Sequence, residues 1–282
     1  AFGAAVATAV LTGALLVGDS MRGSLRALTL DRLGRIDEAL VADRFFREKL
    51  AEELSAGLST ALPGQQVEVV PAIMLSGSLS QADRATPRRI NRVSIIGCEE
   101  RFWALGSGAP RQAIGPGQVV LNQPAAELLD VSVGDQLLLH LPRPANIPSD
   151  SPLGKKTDTT RTVRATVVEV LPAEGLGRFG LRPAQQSPRN AYVQLAWFQR
   201  QLLEPQRINC ILVAGTGIAS RSVRAGDLLK PRLEDYGISV TRTARGYINI
   251  TSDRLLLDPA AEQQLLGALS GHRVHPALTY LA

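Results

Sequence analysis

The stretch LLVGDSMRGSL, Leu15–Leu25, admits two readings, and the choice between them decides the fold. Taken alone it is a serine nucleophile block: a short apolar strand, then Gly18-Asp19-Ser20, then a small-residue turn. Taken with what precedes it, it is the polar end of a long apolar helix. Residues 1–18, AFGAAVATAVLTGALLVG, carry no charge, and Asp19 is the first charged residue. A strand leading to a nucleophile needs only about five or six residues. As a helix, residues 1–18 span about 27 Å, close to the roughly 30 Å hydrocarbon core of a bilayer. The length favours a transmembrane helix. Ala5, Ala9 and Gly13 recur on it at a spacing that lets another helix approach closely.

A secretory signal peptide and a buried core helix are the rival readings. The first lacks a basic start and a small-residue cleavage site before the polar boundary. The chain opens on Ala, so the expectation is a fragment whose first residue already lies within the membrane. Arg22, Arg26, Arg32 and Arg35 follow the apolar run. Alone they hint at a cytoplasmic flank, but that rule weakens for large domains, which translocate regardless of charge.

Helical periodicity continues past Asp19. Met21, Leu25, Leu28, Leu33, Ile36 and Leu40 recur every three to five residues, and Asp31 and Arg35 stand as an i,i+4 pair. The expected object is one helix, membrane-embedded over 1–18 and an amphipathic stalk over 19–37, with weak points at Gly23 and Gly34.

Beyond the stalk, strands and helices mix, which points to α+β lobes. Strands are expected at 38–46, 66–75 (Pro71 marking an edge or bulge), within 92–105 (a strand followed by a turn), at 118–122, within 131–142, and at 164–172 and 207–215. Helices are expected at 47–62, 123–130, 220–237 (with Pro231 to kink or split it) and 259–269 (with Pro259 in its first turn). SDRLLLD (252–258) leads into the last of these. The proline-rich segments 141–161 and 173–190 read as functional or mobile loops.

Composition narrows the chemistry. Hydrophobic residues make up 45% of the 282 residues and charged residues 20%, so a packed core is expected; aromatics are 4%, too few for a base-stacking nucleic-acid platform. Residues 1–141 carry 13 Lys/Arg against 15 Asp/Glu, and residues 142–282 carry 18 against 11, with the arginines of the second half spread singly. A solvated surface is the reading, with weak attraction to anionic polymer or lipid the alternative. Cys98 and Cys210 sit in apolar strand-like runs; buried free thiols and one long-range disulfide both remain open.

No catalytic, cofactor or metal site is expected. A GDS-type hydrolase needs a G-x-N-D block and a late D-x-x-H block to activate Ser20, and both are missing. Gly175-Leu-Gly177-Arg-Phe-Gly180 spells G-x-G-x-x-G after a strand, but the LRPAQQSPRN that follows cannot open a helix toward a pyrophosphate, so it reads as a flexible loop. Gly154-Lys155-Lys156 lacks the rest of a Walker motif, and His272 and His275 lack further metal ligands, so both read as loop. Asn249-Ile-Thr251 is a glycosylation acceptor by spelling only, and Trp103 and Trp197 read as core anchors.

Two quoted stretches carry a family resemblance. LTGALLVGDSMRGSLRALTLDRLGRIDEAL (11–40), continued by VADRFF, resembles the first transmembrane helix and stalk of an FtsX-like ABC transporter permease. QVVLNQPAAELLDVSVGDQLLLHL (118–141) resembles the strand, short helix and x-VGD-x strand of the MacB-like periplasmic core domain. RATVVEVLP, AYVQLAWFQRQL and INCILVAG then follow in that domain's order. The resemblance covers nearly the whole chain. It implies a two-lobed mixed α/β extracytoplasmic domain after the helix: a membrane-proximal lobe over 38–106, an inserted outer lobe over 107–216, and a return to the proximal lobe over 217–282 that continues past Ala282.

It also implies a subunit of the plasma (inner) membrane that is not itself an enzyme. Its implied partners are a cytoplasmic ABC ATPase, a second permease copy, and an extracytoplasmic partner or substrate that the sequence does not name. ATP-driven movement would pass through the stalk to export a substrate, extract a lipoprotein or activate a partner. A membrane-anchored binding or assembly module without an ATPase is the alternative.

Overall fold

The computed structural model describes residues 2–142, 160–181, 187–215, 223–252 and 259–275, with the side chains of 2–11, 14, 142, 160 and 259–261 outside that description. The segments 143–159, 182–186 and 253–258 lie outside it too, and with them most of the first long loop, Gly154-Lys155-Lys156 and most of SDRLLLD.

The first helix, α1 (Phe2–Leu33), is continuous through Gly13, Gly18 and Gly23. Gly34 takes the left-handed conformation at φ +59° and donates to the Leu30 carbonyl, which closes the helix. The helix therefore stops short of Ile36, and strand β1 (Ile36–Arg47) opens before Glu38. Leu15, Leu16 and Val17 are 67, 66 and 62% exposed, and Met21, Leu25 and Leu28 are exposed as well. The described part of α1 is thus not a core helix of this chain. Among the described residues no helix is long and apolar enough to cross a membrane; the side chains of residues 1–11, the apolar start of the expected span, lie outside them.

Six strands close into a ring. β2 (Glu68–Gln81) pairs with β3 (Arg89–Cys98), β3 with β7 (Asn190–Gln194), β7 with β4 (Gln118–Asn122), β4 with β6 (Thr160–Leu171), β6 with β5 (Gln136–Pro142), and β5 returns to β2. The β3–β7 and β4–β6 pairs are parallel. Closure on itself leaves no open edge within the ring. β2 is long enough to serve two neighbourhoods. Its end, Ile73–Ser80, lies in the ring, while Glu68–Ala72 pairs with β8 (Arg207–Ala214), which in turn pairs with β1. Pro71 falls where β2 pairs with β8 and β3 has not yet begun, the one-sided setting its missing N–H calls for.

Four helices follow or cover these strands, two of them at the expected 47–62 and 123–130. α2 (Lys49–Ala61) buries Leu50, Ala51, Leu54 and Leu58, one face at helical spacing. A single turn, α3 (Glu100–Trp103), follows β3. α4 (Gln123–Leu129) starts on an Asn122 cap and ends at Asp130 in the left-handed conformation. α5 (Leu195–Leu202) follows β7 directly.

Strand alternation feeds two cores. On β3, Val93 and Ile95 face one and Ile96 and Cys98 the other; on β8, Ile211 and Val213 face one and Cys210, Leu212 and Ala214 the other. Trp197 anchors the first core, and Trp103 packs against the second.

Two compact units result. One holds the described residues up to 142 together with 160–181, 187–215 and 223–231; the other holds 232–252 and 259–275. The units part near residue 231. Strands from both expected lobes share the ring, since β2 and β3 lie before 106 and β4 to β7 after it. Pro231 does split the expected 220–237 helix, into α6 (Ala225–Leu228) and a 3₁₀ turn at Leu233–Tyr236. The second unit adds a hairpin of β9 (Ile238–Arg242) and β10 (Ile248–Ser252) and the helix α7 (Pro259–Ala268), with Asn249 and Thr251 on β10.

Both cysteines are buried free thiols. Cys210 stands opposite Ala72, and Cys98 follows the Gly97–Ile73 pair, so β2 runs between them. Two strand spacings keep their Cα atoms roughly 10 Å apart, beyond the ~7 Å a disulfide spans. This removes the disulfide alternative. Burial pushes the Cys210 thiol up to about 12, and burial, then Glu99, raises Cys98 further. A thiol reagent at pH 8 is expected to label neither residue in the folded protein and both in denaturant; rapid labelling of the native protein would contradict the packing.

Candidate functional site

The residues singled out for chemistry are dispersed. Ser20 lies on the exposed surface of α1, and His272 and His275 are exposed. His140, on β5, has Ser80 Oγ at 2.9 Å on Nε2 and Thr162 Oγ1 at 3.1 Å on Nδ1, a ladder across three strands. Burial, then the Arg89 guanidinium, lowers its proton affinity. No group of three or more possible metal ligands occurs among the described residues. An open concavity of about 590 Å³ beside α4, lined by Gln123, Glu127, Asp130, Ser132 and Val133 among others, contains no histidine and no cysteine.

The built feature of this unit is the joint where α1 meets the domain. Three backbone segments converge there: the end of α1, the Leu105-Gly106-Ser107 segment after α3, and the 3₁₀ turn Gly175–Arg178. Arg35 N donates to the Leu105 carbonyl at 2.7 Å, Leu176 N to the Ser107 carbonyl at 2.8 Å, and Gly175 N to Asp31 Oδ2 at 3.2 Å. Asp31 thus holds the turn instead of pairing with Arg35, which lies beyond the helix end.

The approach is close enough to require glycine. A Cβ on Gly34 would sit 2.3 Å from the Leu105 carbonyl oxygen, and one on Gly175 would sit 2.2 Å from Ser107 Oγ. On Gly177 it would meet the Pro172 carbonyl at 2.1 Å. The G-x-G-x-x-G spelling therefore serves backbone-to-backbone packing. Gly175 and Gly177 are buried and Gly180 is half-buried, so 175–178 is a packed turn and the flexible-loop reading is corrected there. The overlooked signal was the apolar pair Leu176 and Phe179, three apart inside an otherwise polar segment; both are fully buried.

Beneath the turn lies a buried polar network. Asn122 Oδ1 accepts from Ala125 N and Asn190 N at 3.3 and 2.9 Å, while its Nδ2 donates to the Gly177 and Pro188 carbonyls at 2.8 and 2.7 Å. Asn190 Nδ2 donates to the Phe179 carbonyl at 2.8 Å and to the Tyr192 hydroxyl at 2.9 Å. That hydroxyl donates in turn to the Leu176 carbonyl. Burial pushes the Tyr192 hydroxyl far up, against an opposing contribution from Asn190, so it stays a neutral donor. The ring packs 5.0 Å from Trp103 and 6.0 Å from Phe102. Arg32 is also buried at the end of α1, its proton affinity lowered by burial and then by nearby Arg178. Strands β4 and β7 thus hold three carbonyls of the turn, and the turn holds the helix. Sequence reading missed Asn122, Asn190 and Tyr192, whose signal was polar side chains placed within strongly apolar strands.

No protein-family model matches the chain, and no curated protein matches it. Solved structures are similar to it, among them three permease-related domains. One is the periplasmic region of MacB from Actinobacillus actinomycetemcomitans, 11% identical, covering 80% of this chain and 90% of that one, with a TM-score of 0.41. The second is the extracellular domain of the noncanonic ABC-type transporter YknZ from Gram-positive bacteria, 10% identical, with coverages of 76% and 100% and a TM-score of 0.39. The third is a domain of a permease protein from Porphyromonas gingivalis, 11% identical, with coverages of 74% and 83% and a TM-score of 0.34.

Proposed function

We propose that this chain is the extracytoplasmic domain of an ABC transporter permease subunit, with residues 1–18 ending a transmembrane helix and 19–33 forming a stalk. The observation that supports this reading most directly is the helix from Phe2 to Leu33, unbroken and fastened at its end by the glycine joint. A helix continuous with a packed joint passes a push or rotation to the domain, where a flexible linker would absorb it. The partners are a cytoplasmic ATPase, a second permease copy, and an extracytoplasmic substrate or protein. The domain performs no covalent step; its role is to change shape when the stalk moves.

The full-length protein, purified from its own membranes in mild detergent, is expected to carry a vanadate-sensitive ATPase with it. Recovery from the membrane fraction without ATP hydrolysis would favour an anchored binding module and overturn the coupling role. Recovery from the soluble fraction would overturn the membrane placement.

A further inference from the structure

Ring closure gathers arginines that lie far apart in the sequence. The register sets Arg89, Ser80, Leu138 and Arg164 in one row across β3, β2, β5 and β6. Their neighbours Ile90, Leu79, Leu139 and Val163 point into the first core, so this row turns away from it. The next row on the same side is polar and tied to it. Arg89 Nη2 donates to Ser78 Oγ at 2.8 Å, and Ser80 Oγ and Thr162 Oγ1 flank the His140 ring. The segments that form this face, 76–98, 136–142 and 160–166, hold six arginines and one carboxylate, Asp83, whereas the whole chain has 31 basic against 26 acidic residues.

Little on the chain offsets that charge. Arg164 takes Asp83 at 3.3 Å. Arg84 and Arg88, on the turn between β2 and β3, share the one carboxylate of Asp130. Arg89 and Arg92 are exposed, and neither pairs with a carboxylate among the described residues. Burial and then Arg89 lower the proton affinity of His140, which fits a face with a surplus of positive charge.

We propose that this face docks an acidic segment of a partner protein, with carboxylates of the partner on Arg89 and Arg92. An anionic lipid surface is the competing occupant. Chains that lie on such a surface set apolar or aromatic side chains beside their cations to enter the headgroup layer. The three segments contain no aromatic residue, and the exposed large apolar side chains lie elsewhere. They contain no lysine either; the planar fork of arginine takes a carboxylate through two parallel hydrogen bonds. The proposal gives a chemical class to the extracytoplasmic partner and rests on that reading for where the partner lies; the charge of the face does not depend on it.

Full-length protein in phosphatidylcholine nanodiscs, titrated with a fluorescein-labelled oligo-aspartate at physiological salt, tests this. Arg89→Gln with Arg92→Gln is expected to weaken binding about tenfold. Arg200→Gln with Arg242→Gln removes the same charge from α5 and β9, and is expected to weaken it less than twofold. Arg89→Lys with Arg92→Lys keeps the charge at the face and is expected to bind more tightly than the Gln pair. No binding by the unmodified protein overturns the proposal, and so do equal losses in the two Gln pairs, which would make the attraction one of net charge alone. Capture of phosphatidylglycerol vesicles that is lost in the Arg89 and Arg92 Gln pair, with no oligo-aspartate bound, would assign the face to lipid and overturn the acidic partner. No ATPase takes part, so failure here leaves the transporter reading standing, and failure of ATPase co-purification leaves this result standing.

Discussion

Gly34→Ala is expected to lower the melting temperature by roughly 6–12 °C, the effect of about 3 kcal/mol on a domain of this size. Two costs add. Gly34 sits at φ +59°, where an L side chain loses about 1–2 kcal/mol. Its new Cβ would also lie 2.3 Å from the Leu105 carbonyl oxygen, with Gly106 Cα 3.1 Å away. Both obstacles are backbone, so no side-chain rotation relieves them, and overpacking of this kind costs about 1–3 kcal/mol. Gly64→Ala is the matched control. Gly64 has φ +83° and nothing within 4 Å of its Cβ position, so only the conformational cost of about 1–2 kcal/mol applies. Chemical denaturation of both variants beside the unmodified protein measures the difference. Equal losses at the two positions would mean that the close packing of the joint contributes nothing.

That pair of glycines shows where sequence reading succeeds and where it stops. The length of the apolar run, the periodicity of α2 and the β4–α4–β5 unit were legible because each is a local pattern of apolar and polar residues. Pro231 was legible because its ring blocks a helix regardless of context. The end of β2 was hidden, since its Ser76-Gly77-Ser78-Leu79-Ser80-Gln81 has almost no apolar alternation; Ser78 and Ser80 are buried by ring closure onto β5, with Arg89 and His140 bonded to them. The β9–β10 hairpin was missed for the opposite reason: its residues are mostly exposed, so no buried face marked it. The ring itself was hidden because β3 pairs with β7, a parallel partner about a hundred residues later, which local composition cannot reveal. The joint needed all three of its segments in place before Gly34, Gly175 and Gly177 acquired a common purpose.

If the chain works as the proposed stalk-coupled permease domain, Leu28→Pro is expected to abolish coupling between ATP hydrolysis and domain movement while leaving the domain folded. Leu28 is 43% exposed on α1, five residues before the helix end. Its side chain contributes nothing to either core, so its loss leaves the packing untouched. Proline at this position removes the amide that would donate one turn back, and its ring clashes with the carbonyl of Ser24. The cost to the helix is about 3 kcal/mol, enough to kink or break it. The turn closed by Thr29 Oγ1, which donates to the Leu25 carbonyl at 2.8 Å, is disturbed with it. A push delivered from residues 1–18 then bends the helix at residue 28 instead of reaching Asp31 and Gly34. Leu28→Ala keeps the helix and trims the same side chain, so it is expected to behave as the unmodified protein does. The readout is the ATP-dependent change in distance between spin labels on the exposed residues Leu128 and Leu203 of the domain and the stalk residue Arg22. The Pro variant should lose that change, with its melting temperature within about 2 °C of the unmodified protein. Full retention of the change in the Pro variant would mean that the stalk is not the path. Loss in both variants would instead mean that the Leu28 side chain meets a partner, and the helix itself would no longer explain the coupling.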